Sequence, residues 1–476
     1  MPDFRFSRRA LLASTTAAML LPAVARTEAA TVQPNILFIM ADDLGFADLS
    51  CYGRTDYHTP AIDSLAAAGM RFTQAYANSA VCSATRVGLI TGRYQNRLPI
   101  GLEEPLGTRD VGLPPSHPTL PSLLRKAGYR TALIGKWHMG ALPKYGPLQS
   151  GYDHFWGFRG GGLDYFDHSF MGKPDLWDDD RPIGRPGYLT DLIGDQAIAT
   201  LGDYALGSRP FFMSLHFNAP HWPWEGPDDQ AEARRLASST GHFAVFDTDG
   251  GSQKTYAAMV TRMDMQIGRV LDALDRHGLA HNTIVIFTSD NGGERYSNTW
   301  PFTGKKTELL EGGLRIPAII RWPGRVASGS VNEQVTISMD WMPTLLAAGG
   351  VTPDPAFPPD GIDLTPILLH HARPVPRTLC WRYLNLSQEA CRDGDWKYLK
   401  ILDNTFLFNV VDDPLERANL KDREPARYAR LRGEYRAWDA SMLPLDPSAS
   451  TSGFTGKQVA DHFGIVDART TARPND

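Results

Sequence analysis

The sequence is short of several features that would settle its class at once. Beyond the first two dozen residues no apolar run approaches the roughly 20 residues that a membrane-spanning helix needs. There is no basic run, and the formal charge is −5, which leaves no case for nucleic-acid binding. No internal repeat is present, and the balance of 42% apolar to 21% charged residues carries no signature of disorder. Cysteine is scarce, at positions 51, 82, 380 and 391. Cys380 and Cys391 flank a short polar segment and are the plausible disulfide pair in an oxidising compartment, whereas Cys51 and Cys82 need not be one. What is plentiful is Pro, Gly, Trp and Tyr, a composition that suits a loop-heavy enzyme better than a helical bundle. The 476 residues exceed what one core usually serves, so one large domain and a smaller one are expected.

The N-terminus reads as an export signal. Arg8 and Arg9 directly precede an apolar stretch that runs to about Leu21, and Ala23-Val24-Ala25 offers a small-residue cleavage site. The paired arginines resemble a bacterial twin-arginine signal, which implies a periplasmic or secreted destination. Cleavage there removes Asp3 and three arginines, taking the formal charge from −5 to about −7. An uncleaved anchor is the other reading of this stretch. The expected organisation is a targeting segment over 1–30, a large domain over 31–372, and a C-terminal subdomain with its tail over 373–476.

Ile36 to Met40 and Thr283 to Ser289 are continuous apolar runs of the kind buried on both faces of a parallel sheet. Tyr129–Lys136, Pro210–Phe217 and Ile316–Arg321 read as further strands. Pro60–Gly69, Thr119–Ala127, Lys254–Gly278 and Ser338–Ala348 have helical spacing, and 139–190 reads as long surface loops. This alternation argues an α/β fold with a largely parallel central sheet. After a proline-bearing linker at 371–376, the stretches 378–383, 396–401 and 405–409 alternate like antiparallel strands, and a helix follows from about Pro425, giving a small α+β subdomain.

Residues 80–92 form the stretch on which chemistry concentrates. Val87, Leu89 and Ile90 followed by Gly92 read as a short helix with a C-terminal glycine, which places Cys82 at its N-terminus and Arg86 on the same face. A buried core cysteine is the alternative. Asp42-Asp43 and Asp290-Asn291 each close an apolar strand just ahead of a glycine that lets the chain bend. Three carboxylates and an amide brought together call for a hard cation, calcium first and magnesium second. Lys136 and His138 share a face if their strand continues through them; a surface lysine and a core histidine are the plainer reading. His221 lies between Pro220 and Pro223 at a strand end and is a candidate general acid. Lys306, or else Lys305, points inward from a glycine-bounded segment. A metal site, a helix N-terminus, three cations and two histidines suit attack on a tetrahedral oxyanion ester.

These residues resemble the sulfatase family within the alkaline phosphatase-like superfamily. Cys82-Ser83-Ala84-Thr85-Arg86, continuing through Leu89-Ile90-Thr91-Gly92-Arg93, is similar to the first signature of that family, and 128–138 to the second. Asp42-Asp43, His221, Asp290-Asn291 and the Gly-x-Lys pattern ending at Gly313 keep the family's order, and Phe406–Asn409 with Asp413-Pro414 resembles its C-terminal domain. Ala84 replaces the commoner proline. The resemblance implies a large mixed, mostly parallel sheet between helices, with a small antiparallel C-terminal sheet. It implies that a maturation enzyme oxidises Cys82 to formylglycine, whose hydrate is the nucleophile, and that Asp42, Asp43, Asp290 and Asn291, with residue 82, bind Ca2+ or Mg2+. Arg86, Lys136 and Lys306 would then stabilise charge, His221 with Lys306 would protonate the leaving alcohol, and His138 would take the proton as sulfate departs. The implied activity is hydrolysis of aryl or carbohydrate sulfate esters, in the manner of arylsulfatases or N-acetylgalactosamine-6-sulfatases, on a sulfated small molecule or glycan. A phosphatase or phosphonate monoester hydrolase of the same superfamily is the alternative. Trp137, His154, Trp156, Asp164, His168, Trp222 and Trp224 lie in loops that either border the pocket or merely pack.

Overall fold

The strand Asn35–Ala41 is buried along its whole length, with Leu37 and Ile39 turned into one apolar core and Ile36, Phe38 and Met40 into another. That alternation at full burial is what a central strand covered on both faces requires. The structure is a computed structural model that describes residues 33–102, 110–170, 172–239, 250–370, 372–447 and 449. The targeting segment expected over 1–30 and the tail beyond 450 lie outside the described residues. No helix among the described residues is long and apolar enough to cross a membrane.

Among the described residues the largest sheet has ten strands. Asn35–Ala41 pairs in parallel with Phe211–His216 on one side and Thr283–Ser289 on the other. Phe211–His216 continues in parallel to Arg130–Lys136, and that strand to His154–Phe158. Beyond Thr283–Ser289 the sheet turns antiparallel at Ala318–Arg321 and Met70–Phe72. One face is covered by the helices Pro60–Ala67, Leu189–Ala205 and Gln253–Arg276, the other by Cys82–Thr91, Leu120–Lys126 and Trp341–Ala348. The expected mixed, mostly parallel sheet between helices is therefore present. The structure corrects the loop reading of 139–190, since His154–Phe158 is a sheet strand inside that stretch. It also adds the helix Leu189–Ala205, whose buried Leu189, Leu192, Ile193, Ala197 and Leu201 keep helical spacing.

The C-terminal strands Thr378–Tyr383, Gln388–Asp393, Trp396–Ile401 and Asn404–Asn409 form an antiparallel meander backed by the helix Pro425–Asp439. The second of these, read from sequence as a polar segment, is a strand in full register with its neighbours. Cys380 and Cys391 are direct cross-strand partners, with their buried Sγ atoms 2.7 Å apart. Leu379, Trp381, Ala390, Leu399 and Phe408 of this sheet share an apolar cluster with Tyr76, Val81, Ala84, Leu309 and Leu314, so the meander packs beside the start of the Cys82 helix.

A candidate active site at the strand ends

The C-terminal ends of the parallel strands converge on Cys82. The helix Cys82–Thr91 ends in Gly92 at φ 67, the left-handed cap that the sequence indicates, and all ten of its residues are buried. Arg86, with no exposed surface, reaches the end of the strand Thr283–Ser289 and donates to Asp290 Oδ2 from Nη2 at 2.7 Å and from Nε at 3.1 Å. Lys136 Nζ pairs with Asp42 Oδ2, and Lys306 Nζ donates to Asp43 Oδ2 at 2.7 Å. Lys306 rather than Lys305 thus turns inward. Three buried cations are each matched to a buried carboxylate.

Two residues reach the site by bends that differ from the sequence expectation. Asp43 itself adopts φ 61, so the turn after the first strand is made by the aspartate and not by Gly45. The strand that bears Lys136 stops there, and His138 reaches the site through its own left-handed backbone at φ 56. Thr307, next to Lys306, sits at φ 72. Such conformations cost on the order of 1 kcal/mol or more apiece and persist where the surroundings fix them.

Ligand atoms of Asp42, Asp43, Cys82 and His221 lie within 4.8 Å of one another. Asp290 and Asn291 border this group: Asp290 Oδ1 accepts the Asp43 N–H at 3.2 Å, and Asn291 Nδ2 donates to Asp43 Oδ1 at 2.7 Å. Asp42 Oδ1 and Asn291 Oδ1 are buried oxygens without a hydrogen-bond partner. Unpartnered oxygens beside crowded carboxylates are what a hard divalent cation would satisfy, and the donor set fits one. The electrostatics agree. Burial, and next the charge on Asp290, raise Asp42 well above the usual carboxylate range. Burial pushes Asp290 in the same direction, but Arg86 and Lys136 outweigh it and bring it to about 2.

Burial lifts the Cys82 thiol to about 12 despite Lys136 and Lys306 nearby, so as encoded it is a protonated and weakly nucleophilic group. Burial first, then neighbouring cations, hold His138 and His221 well below the usual histidine range. Both nitrogens of His138 are buried without a partner. His221 Nδ1 lies 2.6 Å from the Trp222 carbonyl, which leaves Nε2, 3.6 Å from Asp43 Oδ2, as the nitrogen turned to the site. Gly161 and Gly162 back the two rings: a Cβ on Gly161 would come within 2.7 Å of the His138 ring, and one on Gly162 within 3.1 Å of the His221 ring.

Sequence reasoning missed His216. It closes the strand Phe211–His216, lies 3.2 Å from Arg86 Nη1 through Nδ1, and burial lowers it to about 3, so it stays neutral beside the guanidinium. Of the seven loop residues, Trp222 borders the site, with Lys306 Nζ 5.7 Å from its ring centre. Trp137, Trp156 and Trp224 are core side chains, His168 bonds the Gly187 carbonyl, Asp164 caps its own turn, and His154 pairs with Asp179.

The family model described as Sulfatase matches residues 34–351. The chain belongs to the sulfatase family. It is 31% identical over 365 residues to N-acetylgalactosamine-6-sulfatase of Rattus norvegicus, a match that covers 71% of this chain and 66% of the relative. It is 31% identical over 432 residues to steryl-sulfatase of Rattus norvegicus, covering 75% and 74% of the two chains. The chain thus spans just under two thirds of the first relative's length. Among solved structures, Ps i-CgsB in complex with k-i-k-neocarrahexaose superposes with a TM-score of 0.78 at 28% identity, covering 92% of this chain and 99% of that one. Cys82, Arg86, Lys136 and His138, gathered at the strand ends, all lie within the matched residues.

Proposed function

We propose that this sulfatase-family chain hydrolyses sulfate monoesters of carbohydrates or aryl alcohols to the alcohol and inorganic sulfate. The observation that carries the reading is the matching of Arg86, Lys136 and Lys306 to Asp290, Asp42 and Asp43 around Cys82. A divalent cation, Ca2+ in preference to Mg2+, held by Asp42, Asp43, Asp290 and Asn291, would supply the net positive charge that draws in an anionic ester. Oxidation of Cys82 to formylglycine by a maturation enzyme supplies, as a hydrate, the oxygen nucleophile that the buried thiol cannot be. The chain's own residues do the rest. Lys136 and Lys306, already held by carboxylates, present their remaining protons to the sulfuryl oxygens, and Arg86 fixes Asp290 from behind. His221 Nε2 is turned to the site, and an incoming anion raises its proton affinity, so it delivers a proton to the leaving alcohol. His138, with two unpartnered nitrogens, accepts a proton as sulfate departs.

Support for a carbohydrate substrate comes from the relatives, since one is named for N-acetylgalactosamine 6-sulfate and a structural neighbour holds a neocarrahexaose. The twin-arginine-like N-terminus supports export to the periplasm or beyond; N-terminal sequencing of the exported protein is expected to start after Ala25, and an intact Met1 contradicts it. The function itself is tested by comparing 4-nitrophenyl sulfate with the corresponding phosphate and phosphonate esters. Sulfate is expected to be the preferred substrate, and a large preference for phosphorus would establish the phosphatase or phosphonate hydrolase alternative instead. Mass spectrometry of the Cys82 peptide from active protein is expected to show the aldehyde; an unmodified thiol in active enzyme overturns the nucleophile.

A further inference from the structure

The segment that carries Lys306 is held in place by the C-terminal antiparallel sheet. Thr307 lies in left-handed backbone at φ 72, a conformation that a β-branched residue adopts only with support from outside. Gln388, the first residue of the strand Gln388–Asp393 and 1% exposed, provides it. Its Oε1 accepts the Leu309 N–H at 2.8 Å, and its Nε2 donates to the carbonyls of Thr307 at 2.8 Å and Asn385 at 3.0 Å. One buried side chain therefore clamps the backbone on the C-terminal side of Lys306. The segment's ends are tied to the same part of the chain. Thr303 Oγ1 donates to the Leu415 carbonyl at 2.7 Å, and the Glu311 N–H to Glu416 Oε2 at 2.6 Å. On its other side the Thr307 N–H donates to the Ala80 carbonyl at 2.9 Å, two residues ahead of Cys82. Gln388, Thr307 and Ala80 thus form one hydrogen-bonded line from the antiparallel sheet to the start of the Cys82 helix.

We propose that Gln388 is a positioning residue for the reaction: it fixes residues 306–309 so that Lys306 Nζ stays on Asp43 and aimed at the reacting group, which makes the antiparallel sheet part of the active site. This rests on the sulfate-ester reading. A glutamine that merely ties two sheets together would affect folding and leave Lys306 as it was.

Gln388→Met keeps the length of the side chain and removes all three hydrogen bonds. With 4-nitrophenyl sulfate, Gln388→Met is expected to lower kcat by about ten-fold or more, with a smaller change in KM. In a Lys306→Ala background the same substitution is expected to add less than about two-fold, because the lysine it positions is gone. Wild-type kinetics in Gln388→Met, or losses that multiply in the double variant, overturn the proposal. A second readout needs no turnover. Acetylation by acetic anhydride, mapped by mass spectrometry, is expected to spare Lys306 in the wild type and to reach it in Gln388→Met, whereas equal protection in both overturns the clamp. Wild type that fails on every sulfate ester refutes the sulfatase reading alone, and the acetylation result still decides the clamp. Should Gln388→Met not fold, Gln388→Glu replaces it in the same measurements, since its carboxylate keeps the acceptor for Leu309 but sets an oxygen against the Thr307 carbonyl.

Discussion

Glu225 shows how far one buried side chain can depart from its usual chemistry in this molecule. It has no exposed surface, its Oε2 accepts the Tyr165 N–H at 3.1 Å, and its Oε1 has no partner. Burial, and after it the charge on Asp164, lift its carboxyl to about 9, so it is protonated in the fold at neutral pH. Its ordinary value is 4.5. A group raised in the folded state contributes stability that is complete below its unfolded value and is lost as pH rises towards its folded value. The window here runs from 4.5 to about 9. Gln at this position keeps the shape and never ionises. Glu225→Gln is therefore expected to match the wild type in urea at pH 5 and to exceed it at pH 8, by an amount on the order of a few kcal/mol. An equal difference at both pH values would show that Glu225 is ionised in the fold.

At the scale of elements, what matters is how two separate strand ends are kept in register with each other. Asp48 does this with a single carboxylate. It accepts the Gly45 N–H at 2.8 Å in the turn after the first strand, and the Asn298 N–H at 2.8 Å and Ser297 hydroxyl at 2.6 Å in the loop after Thr283–Ser289. Tyr256 of the long helix donates to it at 2.6 Å and Arg54 at 2.8 Å. Asp48→Asn keeps the size but not the charge and is expected to cost about 1–3 kcal/mol in thermal or urea unfolding. It is also expected to weaken the proposed Ca2+ binding, because it loosens the turns that follow the two strands carrying Asp42-Asp43 and Asp290-Asn291. Calorimetric titration with Ca2+ checks this; an unchanged affinity in a destabilised variant would limit Asp48 to bracing the loops.

The same scale explains which parts of the site were legible in the sequence. Asp42-Asp43 and Asp290-Asn291 close unbroken apolar runs, and Gly92 closes the Cys82 helix, so each carries its signal within a few neighbouring residues. Asp48, His216 and Gln388 carry none. His216 ends a strand of six buried residues and reads as core; only the fold sets it beside Arg86. Gln-Glu-Ala-Cys-Arg-Asp reads as a solvated segment, yet Gln388, Ala390, Cys391 and Arg392 are buried, because their polar partners lie far away in the sequence: Thr307 is 81 residues from Gln388. The bends at Asp43 and His138 were hidden for a related reason. Left-handed backbone at a non-glycine residue is imposed by packing and has no local mark.

For the molecule as a whole, the question is what joins the ten-stranded sheet and the C-terminal meander, among the described residues, into one compact unit. Part of the answer is a buried ionic network between the sheets. Tyr76, Glu311 and Arg315 come from the large-sheet side, and Arg392, Lys397 and Glu416 from the C-terminal side, and all six are buried. Lys397 Nζ lies 2.9 Å from Glu311 Oε1 and 3.0 Å from Glu416 Oε1, Arg315 Nε donates to Glu311 Oε2 at 2.7 Å, and Tyr76 donates to the same oxygen at 2.6 Å. Burial disfavours the charge on both glutamates; for Glu311 its three cationic neighbours prevail, whereas Glu416 stays above its ordinary range. Removing one partner of such a network costs about 3–5 kcal/mol because it strands a buried charge, while removing both partners together costs far less. Lys397→Met is therefore expected to lower the urea midpoint strongly, and Lys397→Met with Glu416→Gln to recover a good part of the loss. Tryptophan fluorescence and far-UV circular dichroism should report one shared transition in both proteins. Two separated transitions would mean that the sheets are coupled by the network alone and not also by the apolar cluster around Tyr76, Trp381 and Leu309. Because the network touches the Lys306 segment only at Glu311, the folded Lys397→Met protein should keep more of its kcat than Gln388→Met, a ranking that separates holding the sheets together from aiming the lysine.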